Sequence, residues 1–483
     1  MDILGNILSL TVVGSIVNWS LRLLAPFVIP RNRTPSSAMS WLMIVFLVPI
    51  PGWILFLLFG STKLPSERRD LQARVRQILA SIGMRHILGT HTHVARKYER
   101  VAKLAEELAH LPLANITKYE LHTIYDATLE RIAEDIRHAK RSVYVEYYIM
   151  VLDEATEPLI TALEDAKNRG VDVKVIYDTA ATLVQRYPYA LPMLRRFKKA
   201  GIDAIGSLPV RLFGSGYMRP DLRNHRKIIT IDGEIGYIGS QNIIDKHYHR
   251  RDMLYYKEVV ARVEGDIVPQ LEAVFGADWY AETKRDIAHL SRRRLSLTGG
   301  AVQAQLLPSG PGYEYENNLK VFNALIYTAE KSITIVSPYF IPDVSMMMAI
   351  VTAAKRGVRV RIINSKIIDQ LFAAHAQRSY YEELLRVGVE IYLCKSPAFV
   401  HTKLMTIDGE ASIIGSSNMD IRSFELDHEI TLISYDGIFT CGLDAIVKEY
   451  IATATMVDKE KWLARPRYLQ LLDNIARLTS SFQ

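Results

Sequence analysis

Two stretches of this chain carry the same pattern of polar residues at the same spacing. The first is HRKIITIDG at residues 225–233, followed by GSQN at 239–242. The second is HTKLMTIDG at residues 401–409, followed by GSSN at 415–418. Both copies therefore have the form H-x-K-x4-D and then G-S-x-N. A chain that repeats such a pattern is predicted to fold as two homologous halves.

The spacing within each copy predicts where its side chains point. Apolar residues between His-x-Lys and Asp-Gly indicate a strand that ends in a tight turn. Residues two apart on a strand share a face, so His225 and Lys227 point the same way, whereas Asp232, an odd step further on, points to the other side. The return strand is expected to bring Ser240 and Asn242 back beside them. The second copy has these counterparts: His401, Lys403, Asp408, Ser416 and Asn418.

Each H-x-K-x4-D set is a candidate catalytic set, in which the aspartate is expected mainly to close the turn or to hold an ion pair. Two copies face to face would offer two imidazoles and two ammonium groups, which suits chemistry at a phosphodiester. One histidine would attack phosphorus while the other protonates the leaving oxygen. The phosphate oxygens would be held by the lysines and by these residues: Ser240, Asn242, Ser416 and Asn418. Because the lysines supply positive charge, no metal and no cofactor are predicted.

A single copy of the motif would not establish this chemistry. An accidental match around a buried or surface histidine explains one copy about equally well. Two copies with identical spacing, each followed by G-S-x-N, are not explained that way. The pattern therefore predicts one composite phosphodiesterase site.

The regions that precede the two motifs are also repeated. Residues 140–149 and 330–341 have the apolar, β-branched composition of strands, and a helical pattern follows each of them. Residues 170–176 and 357–363 continue the correspondence as a second pair of strands. Strands alternating with helices predict an α/β fold with βαβ units and a mostly parallel sheet. The two halves are expected to pack as a pseudo-twofold pair, with an insertion near residues 211–220 in the first.

The composition is that of a folded protein with more than one domain. The chain has 483 residues, of which 49% are hydrophobic and 23% charged, which is too long for one ordinary core. The formal net charge of +7 favours anionic partners such as nucleic acid, phosphate esters or an acidic membrane surface. The cysteines, Cys394 and Cys441, form neither a zinc pattern nor a disulfide framework. Cys394 lies in an apolar run and is predicted to be buried.

The first sixty residues are much more apolar than the rest. Residues 3–21 and 38–60 contain no charged side chain, and each is long enough for a membrane span of ~20 residues. Pro49 and Pro51 are expected to kink or break the second segment, so a re-entrant or interfacial hairpin is an alternative to two full spans. The acid at Asp2 and the lack of a basic start argue against a signal peptide and favour a retained anchor.

Charge and periodicity then suggest how the chain is divided. Five basic residues soon after Gly60, against two in the connection between the apolar segments, predict a cytoplasmic location for the remainder. Four segments are predicted: a membrane segment with two apolar helices at 1–62, a charged helical linker at 63–118, and the two halves at 119–290 and 291–483. Four arginines cluster near the first motif and would either collect anionic head groups or form a solvated loop: Arg211, Arg219, Arg223 and Arg226.

The paired motifs resemble the phospholipase D superfamily over roughly residues 119–483. The N-terminal stretches SWL at 40–42, PIPGW at 49–53 and LLFG at 57–60 are similar to the membrane segment of bacterial cardiolipin synthases. The stretch GSSNMDIRSFEL at 415–426 resembles the same subgroup. The resemblance implies a ping-pong reaction, in which one phosphatidylglycerol transfers its phosphatidyl group to a histidine and releases glycerol. A second phosphatidylglycerol then accepts the group, which gives cardiolipin.

The resemblance also implies roles for individual residues. His225 is expected to be the nucleophile, because the first-half histidine usually is, and His401 to be the acid and then the base. The family has an acidic residue after each motif that orients an imidazole, and the matching positions are Glu258 and Glu429. Two ordinary strand-end acids are the alternative for this pair. Asp427 stands where the family would have asparagine, which leaves the acceptor specificity open.

The resemblance further implies a bacterial inner-membrane enzyme whose catalytic part is cytoplasmic, with phosphatidylglycerol and cardiolipin as its lipid partners and no nucleic acid. A hydrolytic phospholipase D, or a nuclease or phosphodiesterase of the same superfamily, is the alternative, although the apolar N-terminus argues against a nuclease. A non-catalytic scaffold is disfavoured because every expected catalytic position is filled. The metal motif D-G-x-x-A-R of the CDP-dependent route to cardiolipin does not occur. The acceptor lipid and the oligomeric state stay open.

Overall fold

The computed structural model of the chain forms two compact units. It describes residues 2–31, 33, 35–60, 71, 94–209, 219, 221–249, 254–285, 302–313 and 316–478. The smaller unit comprises Met1–Pro65 and Val210–Asp221, and the larger comprises Ser66–Pro209 and Leu222–Gln483. Both motifs lie in the larger unit.

The smaller unit contains three apolar helices where the sequence predicted two. They are α1 (Asp2–Val28), α2 (Pro35–Leu47) and α3 (Pro49–Phe59). The second apolar segment is broken as its prolines predict, because α2 ends before Val48 and α3 begins at Pro49. The indole N–H of Trp53 donates to the carbonyl of Leu21 at 2.9 Å, which ties α3 to α1. Among the described residues, no helix combines the length and the apolar composition that a membrane crossing requires.

The predicted linker at 63–118 is described only in part, since residues 61–70 and 72–93 lie outside the described residues. Helix α4 (Glu99–Ala109) covers the stretch whose periodicity indicated a helix. Val101 and Ala105 are buried on its inner face, and the side chain of Gln305 donates to the carbonyl of Ala102 at 3.2 Å. This helix therefore packs on the larger unit.

The first half of the larger unit alternates strands with helices. Its elements are β1 (Ala114–His122), α5 (Tyr125–Arg137), β2 (Ser142–Tyr147), α6 (Glu157–Asn168), β3 (Asp172–Asp178), α7 (Tyr187–Ala200), β4 (Asp203–Ser207), β5 (Arg223–Asn224), β6 (Lys227–Ile231), β7 (Ile235–Gly239), β8 (Tyr255–Lys257), β9 (Val260–Gly265) and α8 (Ile267–Thr283). A short π-helix, Thr179–Val184, follows β3.

The second half repeats this order. Its elements are β10 (Val302–Ser309), α9 (Asn317–Thr328), β11 (Ser332–Val336), β12 (Phe340–Ile341), α10 (Val344–Lys355), β13 (Arg359–Ser365), α11 (Leu371–Arg386), β14 (Glu390–Cys394), β15 (Ala398–Val400), β16 (Leu404–Ile407), β17 (Ala411–Gly415), β18 (Met419–Asp420), α12 (Ile421–Glu425), β19 (Asp427–Ser434), α13 (Gly437–Thr453), β20 (Ala454–Met456), α14 (Lys459–Leu463) and α15 (Arg467–Arg477). Cys394 is buried at the end of β14, as its apolar surroundings predicted.

One large sheet joins the two halves. From its centre outward, the first half contributes β1, β9, β7, β6, β2, β3 and β4, and the second contributes β10, β19, β17, β16, β11, β13 and β14. The two series match strand for strand about the antiparallel β1–β10 pair. The repeat seen in the sequence is therefore also a repeat of topology.

The prediction of a mostly parallel sheet is wrong. Within the described sheet, the β2–β3–β4 and β11–β13–β14 groups run parallel, and so does the two-residue β5–β19 pair. Helical crossovers connect the strands of these groups, as a parallel arrangement requires. The motif strands β6 and β7 are instead joined by a tight turn and pair antiparallel, as do β16 and β17.

Candidate active site

Two short ladders between the halves position the motif histidines. Strand β5, just before His225, runs parallel to the start of β19 in the other half, and the backbone N–H of His225 donates to the carbonyl of His428 at 2.9 Å. Strand β15, just before His401, runs parallel to β8 of the first half, and the backbone N–H of His401 donates to the carbonyl of Lys257 at 2.9 Å. Each histidine is thereby held level with the glutamate position of the opposite half.

The ladders bring each imidazole against a buried carboxylate. His225 Nδ1 lies 2.9 Å from Glu429 Oε1 and 3.1 Å from its Oε2. His401 Nδ1 lies 2.6 Å from Glu258 Oε1. All four side chains are buried. The pairs cross between the halves, so the acid that follows one motif contacts the histidine of the other.

Burial sets the protonation of the two imidazoles. It lowers the pKa of His225 to about 4, helped by Lys227 and opposed by Glu429. Burial also lowers the pKa of His401 below its ordinary value. For Glu429, burial raises the pKa, but His225 and Lys227 outweigh it and hold the pKa low. A neutral imidazole that donates its Nδ1–H to a carboxylate has an unprotonated Nε2, the form that can attack phosphorus.

The two motif lysines are buried cations beside these histidines. Lys227 Nζ donates to the carbonyl of His225 at 2.8 Å, and Lys403 Nζ donates to that of His401 at 2.5 Å. Burial lowers the pKa of Lys227 to about 8 and that of Lys403 to about 7, against the opposing charge of Glu258 and Glu429. Lys403 also lowers the pKa of His225, and Lys227 lowers that of His401. The two motifs thus share one electrostatic environment.

The glycine of each G-S-x-N stretch allows a close approach to the backbone directly after the glutamate of the same half. A Cβ on Gly239 would lie 2.3 Å from the carbonyl oxygen of Val259, and one on Gly415 would lie 2.2 Å from that of Ile430. Both distances are far below van der Waals contact, so no larger residue fits without movement of the backbone. The close approach brings the following serine beside the glutamate.

The serines support the glutamates. Ser416 Oγ donates to the carboxylate of Glu429 and accepts from the N–H of Ile430 at 2.9 Å. Ser240 Oγ accepts from the N–H of Val259 at 3.1 Å. The sequence predicted that both serines contact the substrate phosphate, which stays a prediction; within the chain their hydrogen bonds go to Glu429 and to the backbone that follows each glutamate. The adjacent Gly-Ser pair was the available signal for this packing.

Ser423 is a supporting residue that the sequence analysis missed. Its hydroxyl donates to Glu429 Oε1 at 2.9 Å and accepts from the N–H of Asn418 at 3.2 Å. Ser423 lies outside both H-x-K-x4-D and G-S-x-N stretches, so the motif spacing does not point to it. Its position depends on the helix α12 that contains it. Glu429 is therefore held from two sides by serine hydroxyls.

The two motif asparagines differ in their surroundings. Asn242 Oδ1 accepts from the N–H of Ile149 at 3.4 Å, and its Nδ2 donates to the hydroxyl of Tyr248 at 3.4 Å. Asn418 is 8% exposed, and its Oδ1 has no hydrogen-bond partner within the described part of the chain. Asn418 is the more available of the two for a ligand.

The motif aspartates lie at turns, on the side away from the imidazoles. Asp232 and Asp408 adopt left-handed backbone conformations, with φ of 54° and 57°. Asp232 accepts hydrogen bonds from three successive backbone N–H groups at the start of β2, those of Lys140, Arg141 and Ser142. Asp408 accepts the equivalent three at the start of β11, from Glu330, Lys331 and Ser332, and pairs with Lys97. These contacts agree with the supporting position that the strand periodicity predicted.

An acid and two arginines lie near His225 where strands β5 and β19 pair. Asp427 lies opposite Arg223 in the β19–β5 register, and Arg422 Nε donates to Asp427 Oδ2 at 3.3 Å. Burial raises the pKa of Asp427 to about 8, helped by Glu429 and opposed by Arg422. Its Oδ1 is buried and has no hydrogen-bond partner among the described residues. The ring of Tyr148 packs edge-on against His225, with 4.7 Å between centroids.

The approach to His401 is lined by aromatic rings. Tyr256 lies opposite Phe399 in the β8–β15 register, with ring centroids 4.8 Å apart. The ring of Tyr256 is 5.3 Å from that of His401. Its hydroxyl donates to Asp369 Oδ2 at 2.9 Å, and the hydroxyl of Tyr339 donates to Asp369 Oδ1 at 2.7 Å. This side of the site is therefore apolar up to the Asp369 carboxylate.

Each described arginine near the first motif forms an ion pair. Arg226 is buried and pairs with Asp278, and Arg223 NH1 donates to Asp178 Oδ1 at 3.3 Å. Arg219 pairs with the carboxylate of Asp221 in the smaller unit. Arg211 lies outside the described residues. The solvated-loop interpretation is therefore wrong for Arg223 and Arg226, because both side chains are buried in ion pairs.

The fold defines the class of protein. The crystal structure of phosphatidylserine synthase from Haemophilus influenzae superposes on this chain with a TM-score of 0.57 at 17% identity, covering 80% of this chain and 99% of that chain. Together with the match of a PLD-like domain family to both halves, this shows a mixed α/β fold with two repeated phospholipase D-like domains.

Sequence comparison then identifies the family. The family described as "Cardiolipin synthase, PLD-like domain" matches residues 132–279 and 322–452, and "Phospholipase D-nuclease N-terminal" matches 8–61. Cardiolipin synthase A of Pectobacterium carotovorum is 30% identical over 461 residues, which cover 93% of each chain. Cardiolipin synthase of a Geobacillus species is 31% identical over 458 residues, covering 93% of this chain and 89% of that protein. The chain belongs to the cardiolipin synthases of the phospholipase D superfamily, a family of phosphatidyltransferases.

Proposed function

We propose that this chain makes cardiolipin by moving a phosphatidyl group from one phosphatidylglycerol to another through a phosphohistidine, with release of glycerol. The observation that carries the proposal is the crossed pairing of two buried imidazoles with two buried carboxylates, His225 with Glu429 and His401 with Glu258. Each pairing occupies Nδ1 and leaves Nε2 for the substrate. Two such bases at one site suit a two-step displacement at phosphorus.

In the first step, His225 Nε2 attacks phosphorus and the bond from phosphorus to the glycerol oxygen breaks. His401 gives its Nε2 proton to that oxygen, so glycerol leaves as a neutral alcohol. Burial lowers the pKa of His401, helped by Lys403 and Lys227 and opposed by Glu258. The negative charge of a bound phosphate favours the imidazolium, so the proton that His401 donates would be taken up as the substrate binds.

In the second step, the terminal hydroxyl of another phosphatidylglycerol attacks the phosphohistidine. Neutral His401 accepts the hydroxyl proton, the phosphorus–nitrogen bond breaks, and His225 is regenerated. Each glutamate would hold its imidazole in one orientation and stabilise the charged form. Charge on the non-bridging oxygens would be held by these residues: Lys227, Lys403, Asn242 and Asn418.

The N-terminal segment completes the proposal. We propose that residues 1–62 associate with the bacterial inner membrane, that residues 63–118 link this segment to the halves at 119–290 and 291–483, and that the catalytic part is cytoplasmic. Supporting this, Trp19, Phe27 and Leu57 expose 61%, 72% and 68% of their side chains. The division of the second apolar segment into the short helices α2 and α3 favours the re-entrant or interfacial hairpin.

The test is product analysis with the purified full chain in phosphatidylglycerol micelles. Cardiolipin and glycerol should appear in equal amounts, and His225→Ala and His401→Ala should abolish both. Phosphatidic acid and glycerol without cardiolipin would show a hydrolase instead. Parallel reactions with labelled phosphatidylethanolamine would identify the acceptor, which the proposal takes to be phosphatidylglycerol.

A further inference from the structure

The last helix of the described chain, α15, exposes its apolar residues. Five large apolar side chains recur along it at helical spacing and are 48% to 80% exposed: Tyr468, Leu471, Leu472, Ile475 and Leu478. Residues spaced by three, four and seven positions form one stripe on a helix. In an ordinary surface helix such a stripe would face the core.

The buried face of α15 is the one that holds its acid. Asp473 is 2% exposed. It accepts a hydrogen bond from Arg465 at 3.0 Å and lies 2.8 Å from Nδ1 of His375 on α11. A buried, doubly paired carboxylate fixes the rotation of the helix, so the exposure of the apolar stripe is built into the packing.

The start of α11 extends the same surface. Asp473 contacts His375, and one turn further along both helices the guanidinium of Arg477 lies over the ring of Tyr380 at 4.4 Å. The two helices therefore run in the same direction, which places the beginning of α15 beside the beginning of α11. There Leu371 and Phe372 are 69% and 67% exposed. These two residues and the five of the stripe are here called the C-terminal apolar face.

This face lies near His401. Leu371 follows Asp369 by two residues, and Asp369 binds the hydroxyl of Tyr256 at 2.9 Å. The ring of Tyr256 in turn lies 5.3 Å from that of His401. The Asp369 side chain and the ring of Tyr256 therefore lie between the C-terminal apolar face and the imidazole of His401.

We propose that the C-terminal apolar face lies on an anionic lipid bilayer and presents the site to its substrates, as a membrane contact separate from the N-terminal segment. An amphipathic helix of this kind buries its apolar face ~5–10 Å into the interface, and flanking basic residues add attraction to anionic lipids. Arg467 and Arg477 lie at the two ends of α15, and its one acid is buried. This charge pattern favours an anionic bilayer over a second copy of the chain, whose net charge is also positive.

The contact can be tested without turnover. The full chain carrying Cys441→Ser and Leu472→Cys, labelled with an environment-sensitive fluorophore, is reconstituted into phosphatidylglycerol vesicles that contain a shallow nitroxide-labelled lipid. The probe at position 472 should be quenched. A matched probe at Ile438→Cys, on α13 and 71% exposed, should not be. An unquenched probe at 472 on vesicle-bound protein would overturn the proposal, as would energy transfer between copies in the absence of lipid.

Activity provides the second test. The pair Leu471→Glu and Leu472→Glu should lower cardiolipin synthesis in dilute phosphatidylglycerol bilayers about tenfold, with turnover of monomeric short-chain phosphatidylglycerol unchanged. Ile438→Glu should change neither rate. Equal loss on both substrates would show a structural role and overturn the proposal. If the wild-type chain makes no cardiolipin while the probe on the Leu472→Cys chain is quenched, the proposed reaction is refuted and the membrane contact stands.

Discussion

The two sides of the site have the same frame and opposite linings. Beside each histidine stand a lysine, a supporting serine and a glutamate from the other half. In front of His225, however, Asp427 lies opposite Arg223, whereas in front of His401 the corresponding positions hold Tyr256 and Phe399. The acid–arginine pair and the aromatic pair occupy matching places in two matching ladders.

This difference indicates that the shared frame carries out the chemistry, whereas the two linings select the substrates. Transfer through a phosphohistidine needs an oriented imidazole twice, once for phosphorus and once for the alcohol, so the frame is duplicated. The two imidazoles meet different parts of the substrates, so their linings have no reason to match. Asp427, with an unpartnered buried oxygen, is suited to contact a polar head group, whereas the rings of Tyr256 and Phe399 offer an apolar wall.

Replacing the histidines one at a time should have the largest effect on turnover. It also tests which histidine is the nucleophile, the role assigned to His225. His225→Asn and His401→Asn should each lower turnover by about 10³-fold or more. With labelled phosphatidylglycerol, a covalent phosphatidyl-enzyme stable to alkali should accumulate in His401→Asn and be absent in His225→Asn. The opposite pattern would make His401 the nucleophile.

The crossed glutamates should come next. Glu429→Gln and Glu258→Gln should each lower turnover ~10²-fold, because the imidazole loses its orienting charge. Since the pairs cross, Glu429→Gln should slow formation of the phosphohistidine in a rapid-quench experiment, as a defect at His225 would. Ser423→Ala, which removes one support of Glu429, serves as the milder control. An effect of Glu429→Gln confined to the second step would contradict the crossed assignment.

The pKa values of the two motif lysines predict how kcat/KM falls at alkaline pH. Burial lowers the pKa of Lys227 to about 8 and of Lys403 to about 7, and each ammonium is lost as pH rises through its value. The kcat/KM for phosphatidylglycerol should therefore fall by up to about tenfold per pH unit between pH 7 and 8, and by up to about a hundredfold per unit above both pKa values. A bound phosphate restores the charge, so kcat should fall less. A flat kcat/KM from pH 6 to 9 would exclude lysine charge as the requirement.

Substitutions in the two linings should have the smallest effect on turnover and the clearest effect on the ratio of cardiolipin to phosphatidic acid. Burial raises the pKa of Asp427 to about 8, so the acid is neutral at pH 7 and Asp427→Asn should keep turnover within about threefold. Asp427→Ala should lower the ratio of cardiolipin to phosphatidic acid a few-fold. Tyr256→Phe, its counterpart beside His401, should leave that ratio unchanged, and an equal shift in both variants would show that the linings are interchangeable.

Local spacing predicted much of the site before any fold was known. The step of two from His225 to Lys227 placed both on one face, and the odd step to Asp232 with the following glycine placed the aspartate at a turn. Neither inference needed a distant residue. The serines were harder, because Ser416 contacts Glu429 only after two strands approach across a glycine.

The sequence by itself determined the repeat, the chemistry of each motif and the break at Pro49, since periodicity, turn propensity and proline stereochemistry are local properties. Only the tertiary structure decided that the glutamates cross, that most strand pairs run antiparallel and that the two linings differ. These features depend on the register between segments about 200 residues apart, such as Glu429 and His225, and that register follows from the packing of two halves. The physical reason is that a strand's own residues specify which face they occupy, whereas the choice of partner is made by the whole sheet.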